Sequence, residues 1–317
     1  MDISVLGCGR WGSFIAWYLN RTGHAVALYG RSGSPHLAQL AQTRSNGLLA
    51  LPATVALTDD LQSAVSSAQI LVISISAQSF RALMQQLTQC NLTGKGLVLC
   101  MKGIEADTGK RLTQIAAEYT ECPVAIWVGP GHVQDFTRGV PNCMVIDSAD
   151  AVFKEQLVQA FSSPLIRFYY GSDLLGNEIG AAAKNVIGIA AGMLDGADKT
   201  ALKGALMSRG TREIARLISA MGGKEMTAYG LAHLGDYQAT VFSQFSHNRM
   251  FGELFVQGKP YGELAEGVAT VKALLYLSRQ TGVELPICQA VYRIVYEQQP
   301  PEQVLSDLFL RSIKPEF

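Results

Sequence analysis

Three glycines near the start of the chain have a spacing suited to binding a phosphorylated ligand. The residues Gly7-Cys8-Gly9-Arg10-Trp11-Gly12 follow an apolar run directly and precede a helical pattern. A G-x-G-x-x-G loop between a strand and a helix is typical of sites that bind the pyrophosphate of a dinucleotide. Gly7 permits the turn, Gly9 lets the backbone approach the phosphates, and Gly12 lets the helix pack on its strand. The first N–H groups of the helix and its dipole would hold the anion, and the alternative is a glycine-rich turn without a ligand.

A lysine in the middle of an apolar run is the second candidate for chemistry. After Glu178, the predicted helix 172–194 is small or apolar except for Lys184 and Asn185. Its alanines and glycines would let other helices approach closely, so we expect it inside a domain. An unpaired buried ammonium is costly. Lys184 is therefore either a catalytic amine that faces a cleft, with Asn185 as a polar ligand, or a lysine that snorkels to solvent or pairs with a structural carboxylate.

Strand and helix patterns alternate through the first half of the chain. The predicted strands are 2–6, 24–31, 69–75, 96–101, 123–128, 142–146 and 166–170, with helices at 13–23 and 80–87. Ligands bind at the carboxyl ends of the strands in an open parallel sheet. We therefore expect Lys102 and the Gly129–Gly131 turn at the same edge as the glycine loop. The alternative for Lys102 is a solvated lysine at a strand end.

The end of the second predicted strand bears on cofactor preference. An acidic residue at this point binds the ribose 2′-hydroxyl of NAD and repels the 2′-phosphate of NADP. The chain has Tyr29-Gly30-Arg31-Ser32 there, without an acid. Arg31 with Ser32 could hold a phosphate, so we expect NADPH to be favoured, with NADH as the alternative.

The second half of the chain is helical by its hydrophobic period. Further helices are predicted at 200–221, 267–281 and 286–296. The 317 residues are enough for two domains. We predict an α/β N-terminal Rossmann-like domain over residues 1–170, which binds the dinucleotide. An all-α C-terminal domain over residues 171–317 would carry the substrate and catalytic residues and meet the first at a cleft facing the strand ends.

Charge and composition restrict the partners of the protein. Lys and Arg number 26, as do Asp and Glu, so no overall field favours nucleic acid or an acidic membrane. No apolar run approaches the roughly 20 residues needed to span a bilayer, and the N-terminus lacks a signal-peptide pattern. The six cysteines form no CxxC pair and have no nearby histidine. They predict buried, reduced thiols, no metal site and a cytoplasmic protein.

Several motifs, in this order along nearly the whole chain, resemble the NAD(P)-dependent glycerol-3-phosphate dehydrogenases of the bacterial type. They are GCGRWG at 7–12, MKGIE at 101–105, VGPG at 128–131, EIGAAAKNVIGIAAGMLDG from 178, SRGTREIARL at 208–217, GLAHLGD at 230–236, SHNRMFG at 246–252 and AEG at 265–267. The AAxKN block, the LGD turn and the xNRxFG stretch are specific in this order, whereas one of them alone would not be.

The resemblance implies the reversible reduction of dihydroxyacetone phosphate to sn-glycerol 3-phosphate by NAD(P)H, which supplies the glycerophospholipid backbone. Lys184 would be the catalytic acid/base, Lys102 a second catalytic cation that polarises the carbonyl, and Asp236 a further catalytic residue. Asp236 and Thr240 would orient Lys184 and the substrate hydroxyls. The predicted cofactor-binding residues are Gly7, Gly9, Arg10, Trp11, Gly12, Arg31, Lys102, Val133, His247 and Glu266. The predicted substrate-binding residues are Lys102, Gly129, Gly131, Lys184, Asn185, Asp236, Thr240, Ser246, His247, Asn248 and Arg249. The resemblance and the apolar helices also imply a homodimer.

The chain departs from the family pattern at two positions in the expected site. The arginine that precedes the asparagine of xNRxFG is His247, and the serine or threonine after Gly-Pro is Gly131. An arginine offers a permanently charged bidentate fork, whereas a histidine offers one bond and a partial charge. Arg249 could compensate, and His247 could instead be an exposed loop residue. We expect the same reaction class, with weaker phosphate binding or a slightly different substrate.

Two other functions are compatible with the sequence. A related dehydrogenase could reduce another small keto compound or oxidise another small hydroxy compound, and the two departures favour this alternative. A cofactor-binding protein without turnover is disfavoured, because Lys102, Lys184 and Asp236 are all present.

Overall fold

The computed structural model describes residues 1–313. The chain divides into two compact units. The sheet unit contains Met1–Lys102 and Arg111–Glu178, and the helical unit contains Gly103–Lys110 and the residues from Ile179 onward. The α/β Rossmann-like fold followed by helices is confirmed, and the division at residues 170 and 171 stays a prediction.

The sheet unit is built on eight strands. They are β1 (Asp2–Leu6), β2 (Ala25–Tyr29), β3 (Ala56–Thr58), β4 (Ile70–Ile73), β5 (Gly96–Leu99), β6 (Val124–Val128), β7 (Asn142–Ser148) and β8 (Ile166–Tyr170). Their order in the sheet is β3-β2-β1-β4-β5-β6-β7-β8. The central strands β1, β4 and β5 are almost entirely buried, as expected for strands covered on both faces.

Two features of the sheet differ from the sequence prediction. β7 runs antiparallel to β6, although every other neighbouring pair is parallel. Residues 129–141 stay at the carboxyl edge of the sheet, so the chain re-enters from that edge without a crossover. β3 was not predicted because its three residues are exposed or half-buried and show no apolar pattern.

Seven helices belong to the sheet unit. They are α1 (Arg10–Arg21), α2 (Pro35–Thr43), α3 (Leu61–Ser66), α4 (Phe80–Leu87), α5 (Leu112–Ala117), α6 (Val133–Thr137) and α7 (Ala151–Phe161). Side chains of Ser34, Asp60 and Asp150 accept hydrogen bonds from the first turns of α2, α3 and α7. Such caps fix where a helix begins.

From Leu174 onward the described chain is helical. Its α-helices are α8 (Leu174–Gly196), α9 (Lys203–Ala220), α10 (His247–Val256), α11 (Glu266–Thr281), α12 (Pro286–Val295) and α13 (Pro301–Phe309). Short 3₁₀ turns lie at Thr200–Leu202, Glu225–Tyr229 and Leu234–Asp236, and Gln238–Phe242 forms a π turn. Within residues 1–313, no helix is long and apolar enough to cross a membrane.

A row of residues spaced by four along α8 lets the following segments approach its backbone. We call Gly180, Lys184, Gly188, Gly192 and Gly196 the close-approach row. A Cβ at Gly188 would lie 2.6 Å from Thr240 Cγ2, and one at Gly192 would lie 1.9 Å from the carbonyl oxygen of Arg249. Residues four apart share one face of a helix. The row therefore forms a groove whose one long side chain is Lys184.

Replacing Gly192 with alanine should destabilise the protein. The new Cβ would also lie 2.8 Å from the backbone nitrogen of Glu253. Backbone atoms cannot rotate away, so we expect a loss of at least about 1–3 kcal/mol in the free energy of unfolding, measured by chemical denaturation. Gly204→Ala in α9 is the matched control, because a Cβ there meets nothing within 4 Å. It should be neutral or slightly stabilising, and equal stability of the two variants would contradict the close approach.

Candidate functional site

The glycine loop of the sheet unit requires glycine at three positions, for a different physical reason at each. Gly7 has a φ of 117° and a Cβ there would lie 2.1 Å from the carbonyl oxygen of Ser74. A Cβ at Gly12 would lie 1.8 Å from the carbonyl oxygen of Gly7, so α1 can pack on its strand only without a side chain. A Cβ at Gly9 would meet nothing within 4 Å. The space above Gly9 is open, as the approach of a pyrophosphate requires.

The register of the sheet brings this loop to the carboxyl edge. Leu6, the last residue of β1, pairs with Tyr29 of β2 and Ile73 of β4. α1 begins at Arg10 after Gly9, and its first turn contains no acidic residue. The positive end of the helix dipole is therefore not offset by a local carboxylate, and the first turn can bind an anion. These residues fit the pyrophosphate of a dinucleotide.

Arg31 lies where the ribose of a bound dinucleotide would be expected. It is exposed and follows the last residue of β2 by two positions. Gly30 between them packs against the glycine loop, because a Cβ there would lie 2.5 Å from the sulfur of Cys8. The carboxyl end of β2 therefore carries a cation and no acid, as read from the sequence.

The glycine at position 131 is explained by an aromatic side chain that no sequence pattern indicates. A Cβ at Gly131 would lie 2.3 Å from Cε2 of Phe136. Phe136 is buried, stacks on Phe14 with 4.9 Å between ring centroids, and also contacts the Trp11 ring at 6.3 Å. The ring cannot move away cheaply because it is packed on two sides. The ring that excludes a side chain at position 131 thus also packs on the helix that follows the glycine loop.

Lys102 contacts the turn that follows β6. Leu99 of β5 pairs with Ile126 of β6, and Lys102 and Gly129 each follow by three residues. The Lys102 Nζ donates a hydrogen bond of 2.7 Å to the carbonyl oxygen of Gly129. Lys102 is half-buried, so it is not a fully solvated lysine at a strand end. The expected proximity of Lys102 and the glycine turn is found.

Lys184 of the helical unit is held by two groups on one segment. Its Nζ lies 3.0 Å from Asp236 Oδ2 and 2.8 Å from Thr240 Oγ1. The Thr240 hydroxyl donates its proton to the carbonyl oxygen of Asp236 at 2.9 Å, so it accepts from Lys184. Lys184 is 8% exposed and Asp236 is 1% exposed. Lys184 therefore does not snorkel; it is a buried amine paired with the carboxylate that the LGD motif supplies.

His233 and Tyr237 pack beside this pair and stay neutral. Burial lowers the pKa of His233 to about 4, although the Gly180 carbonyl and the Asp236 charge oppose the shift. A neutral imidazole carries one N–H, and Nδ1 lies 2.8 Å from the Gly180 carbonyl oxygen, so Nδ1 donates there. Nε2 then accepts from the Tyr237 hydroxyl at 2.8 Å. His233 thus joins α8 to the segment that carries Asp236 through hydrogen bonds.

Asn185 and Asn248 form a second polar pair in the helical unit. Asn248 Nδ2 donates to Asn185 Oδ1 at 3.1 Å. Asn248 Oδ1 accepts from the backbone N–H of Gly267 at 2.9 Å, in the first turn of α11. A Cβ at Gly267 would lie 2.7 Å from the carbonyl oxygen of Asn185. Glu266, the first residue of α11, therefore adjoins the two asparagines and lies near the positive end of the helix.

The SHNR stretch is the start of α10 and not a loop. Ser246 is the N-cap, and its hydroxyl accepts from the Arg249 N–H at 3.3 Å. His247 is half-buried in the first turn and makes a short hydrogen bond through Nδ1 to the hydroxyl of Tyr261. His247 is consequently tied to the 258–265 segment, and the reading as an exposed loop residue is wrong.

Arg249 is engaged away from Lys184. Its Nη1 lies 2.7 Å from Asp195 Oδ2 and 2.9 Å from Glu253 Oε2, and its Nε donates to the carbonyl oxygen of Ser243 at 3.0 Å. Two carboxylates neutralise one guanidinium here. The structure therefore does not support the expected compensation for the missing arginine. The side chain of Val133 lies in the apolar core of the sheet unit, which leaves its backbone to contact a cofactor, and its predicted role stays a prediction.

Several residues that organise the site were not found from the sequence. Phe136, Asp195, Lys203 and the role of His233 depend on partners far along the chain. The sequence does contain one indication of Asp195. It follows Lys184 by eleven residues, which is three helical turns, so both lie on one face of α8.

A dinucleotide-binding sheet followed by a helical unit with a buried lysine–aspartate pair defines a two-unit dehydrogenase. Residues 2–154 match the family model for the N-terminus of NAD-dependent glycerol-3-phosphate dehydrogenase, and residues 173–306 match the model for its C-terminus. The chain belongs to the NAD-dependent glycerol-3-phosphate dehydrogenase family.

Relatives and solved structures agree with this assignment. A protein of Pelodictyon phaeoclathratiforme named glycerol-3-phosphate dehydrogenase (NAD(P)+) is 36% identical, over 100% of this chain and 99% of its own length. One of the same name from Thermoanaerobacter sp. is 35% identical, over 100% of this chain and 99% of its own length. The glycerol-3-phosphate dehydrogenase structure from Coxiella burnetii superimposes with a TM-score of 0.92 at 26% identity, over 98% of this chain and 99% of that chain.

The burial of His233 generates a pH prediction. Its pKa lies below the ordinary 6.5 when folded, so the unfolded chain binds the proton first as the pH falls. The contribution to the free energy of unfolding is constant above pH 6.5 and falls by about 1.4 kcal/mol per pH unit between 6.5 and 4. Between pH 7 and 4, the wild type should lose on the order of 3 kcal/mol more than His233→Gln in urea denaturation. Parallel losses would contradict the neutral, buried imidazole.

Proposed function

We propose that this chain catalyses the reversible reduction of dihydroxyacetone phosphate to sn-glycerol 3-phosphate with NAD(P)H. The observation that carries the proposal is the buried Lys184 amine, ion-paired to Asp236 and bonded to Thr240. The family relationship supports the reaction, and the geometry supports the assignment of the proton transfer. The product supplies the glycerol backbone of phospholipids.

The sheet unit would hold the cofactor through its glycine loop. The open space above Gly9 and the N-terminus of α1 suit the pyrophosphate, and Trp11 at the start of α1 lines the same loop. Arg31 suits a 2′-phosphate, which favours NADPH over NADH. A bound NAD(P)H supplies the hydride that reaches C2 of the substrate.

Lys184 would act as the acid in reduction and as the base in oxidation. It gives a proton to the C2 oxygen of the ketone, which becomes the hydroxyl of the product, and takes it back in reverse. Asp236 and Thr240 fix the direction of the amine because each takes one of its hydrogen-bond directions. Lys102 would polarise the carbonyl as a second cation.

Asn185 and Asn248 would bind the substrate, with Asn248 at its phosphate. The Gly267 N–H holds the Asn248 amide in one orientation, so Nδ2 is presented as the donor. His247 would supply one further bond in place of the family arginine. With Arg249 neutralised by Asp195 and Glu253, we expect the phosphate to be held more weakly than an arginine would hold it.

A second candidate is the same chemistry on another small keto or hydroxy compound. Two observations favour it. His247 stands where the family pattern has arginine. Gly131 stands where that pattern has a serine or threonine, and the Phe136 ring occupies the space of that side chain. A panel of phosphorylated and unphosphorylated ketones separates the two candidates.

We further infer a cytoplasmic homodimer. The side chains of Phe309 and Leu310 are 66% and 79% exposed, which suits an apolar contact between copies. All six cysteines are free thiols, three buried and three half-buried, which suits a reducing compartment. Equal numbers of acidic and basic residues give no support for a nucleic-acid partner.

Lys184→Ala should lower turnover sharply while leaving cofactor binding intact. We expect kcat for NADPH oxidation with dihydroxyacetone phosphate to fall by about 10²–10⁴-fold, because general acid catalysis is lost. Lys272→Ala is the matched control, since Lys272 is an exposed lysine of the helical unit that packs over the Tyr296 ring. Stopped-flow or absorbance assays at 340 nm measure both variants, and NADPH fluorescence titration measures binding. A Lys184→Ala variant with wild-type kcat would overturn the role of the lysine.

His247→Arg should lower KM for dihydroxyacetone phosphate, since a guanidinium can bind the phosphate through two charged bonds. We expect a change of about tenfold in KM with little change in kcat. Tyr261→Phe is the control, because it removes the hydroxyl that bonds His247 and keeps the ring. If neither His247→Arg nor His247→Ala changes KM, His247 does not contact the phosphate.

A further inference from the structure

Asp195 lies on the same face of α8 as Lys184 and is held in a cluster of charges. Three helical turns separate the two residues, which is about 16 Å along the helix axis. Asp195 Oδ2 lies 2.6 Å from Lys203 Nζ and 2.7 Å from Arg249 Nη1, and Oδ1 accepts from the Thr200 hydroxyl at 2.8 Å. We call Asp195, Lys203 and Arg249 the anchor cluster.

The anchor cluster is charged and largely buried. Lys203 is 5% exposed, and the Asp195 and Arg249 side chains are 13% and 14% exposed. Burial works against ionisation of Asp195, but hydrogen bonds from Lys203, Thr200 and Arg249 outweigh it and keep its pKa below the ordinary value. With Glu253 as the other partner of Arg249, two acids and two bases balance.

Both cations of the cluster also hold the backbone of the segment that carries Thr240. Lys203 Nζ donates to the carbonyl oxygen of Val241 at 3.0 Å, and Arg249 Nε donates to that of Ser243 at 3.0 Å. These carbonyls lie at the end of the π turn Gln238–Phe242. A single π turn is a rare conformation that depends on its surroundings. The cluster supplies hydrogen-bond donors where the turn ends.

The π turn is therefore fixed to α8 at two places. At one, Lys184 binds Asp236 and Thr240; at the other, Asp195 holds the turn through Lys203 and Arg249. Gly188 lies between them, and a Cβ there would lie 2.6 Å from Thr240 Cγ2. A shift of the turn at the Asp195 end would move the Thr240 hydroxyl relative to the Lys184 amine.

We propose that Asp195 is a positioning residue for Lys184: through Lys203 and Arg249 it fixes the π turn, and the turn holds the Thr240 hydroxyl against the amine. The proposal rests on the proposed catalytic role of Lys184. It assigns a function to a residue that would touch neither substrate nor cofactor. Arg249 has the same function, because it connects Asp195 to the Ser243 carbonyl.

The test is a set of steady-state measurements on the full-length enzyme. Asp195→Asn removes the shared charge, and Asp195→Glu keeps the charge but moves the carboxylate by one methylene. We expect either substitution to lower kcat by about 10- to 100-fold, because a displacement of about 1 Å costs that much. KM for dihydroxyacetone phosphate and the Kd for NADPH should stay within about twofold of the wild type. Glu253→Gln is the matched control: it removes one acid from Arg249, leaves Lys203 and Val241 joined, and should keep kcat near that of the wild type.

A double-mutant cycle with Thr240→Val distinguishes positioning from general destabilisation. If the cluster acts through Thr240, Asp195→Glu should lower kcat in the Thr240→Val background by less than about threefold. Full additivity of the two losses, or a folded Asp195→Glu enzyme with wild-type kcat, would overturn the proposal. If Asp195→Asn does not fold, Asp195→Glu carries the test. Lys184→Ala with wild-type kcat would instead refute the catalytic role itself, so the two failures are distinguishable.

Discussion

The helical unit depends on how it buries the ammonium of Lys184. An ammonium that is 8% exposed loses most of its hydration, and a carboxylate and a hydroxyl at hydrogen-bond distance replace part of it. Asp236 and Thr240 provide these groups from a segment that must lie against the backbone of α8. The close-approach row makes that possible, since a side chain at Gly188 would push this segment away and one at Gly192 would push α10 away. Lys184 can therefore be buried with its partners only because α8 has glycine where those partners approach it.

The polar groups around this lysine divide into neutral and charged sets with different tasks. His233 and Tyr237 are buried and uncharged, so they add a hydrogen-bonded tie without competing for the Asp236 charge. Asp195, Lys203 and Arg249 carry full charges but balance one another at the far end of the same helix face. The Lys184 amine thus lies between the uncharged, hydrogen-bonded His233–Tyr237 pair and the anchor cluster, whose charges balance. Neither brings another uncompensated charge to the reaction centre.

The sequence predicted those features that depend on local pattern or on motif order. Seven of the eight strands, the glycine loop and the long helix that carries Lys184 follow from apolar runs and glycine spacing. The family resemblance predicted the pairing of Lys184 with Asp236 and Thr240, which no local pattern indicates. The reversal at β7, the start of α10 at His247 and the engagement of Arg249 could not be read in this way. Each is decided by a partner distant in sequence, and a side chain such as that of Arg249 has several equally plausible partners until the fold is known.

The packing of Phe136 against Gly131 restricts which side chains the turn after β6 can accept. A serine or threonine at position 131 would place its Cβ 2.3 Å from the ring, so a single substitution cannot introduce the hydroxyl of the family pattern without displacing the ring. The ring would have to be lost first, and its loss alone would leave a hole beside Phe14 and Trp11. A change at either position alone would therefore disturb the packing beside the glycine loop. Volume couples positions 131 and 136, so the residue that fits at one of them depends on the residue at the other.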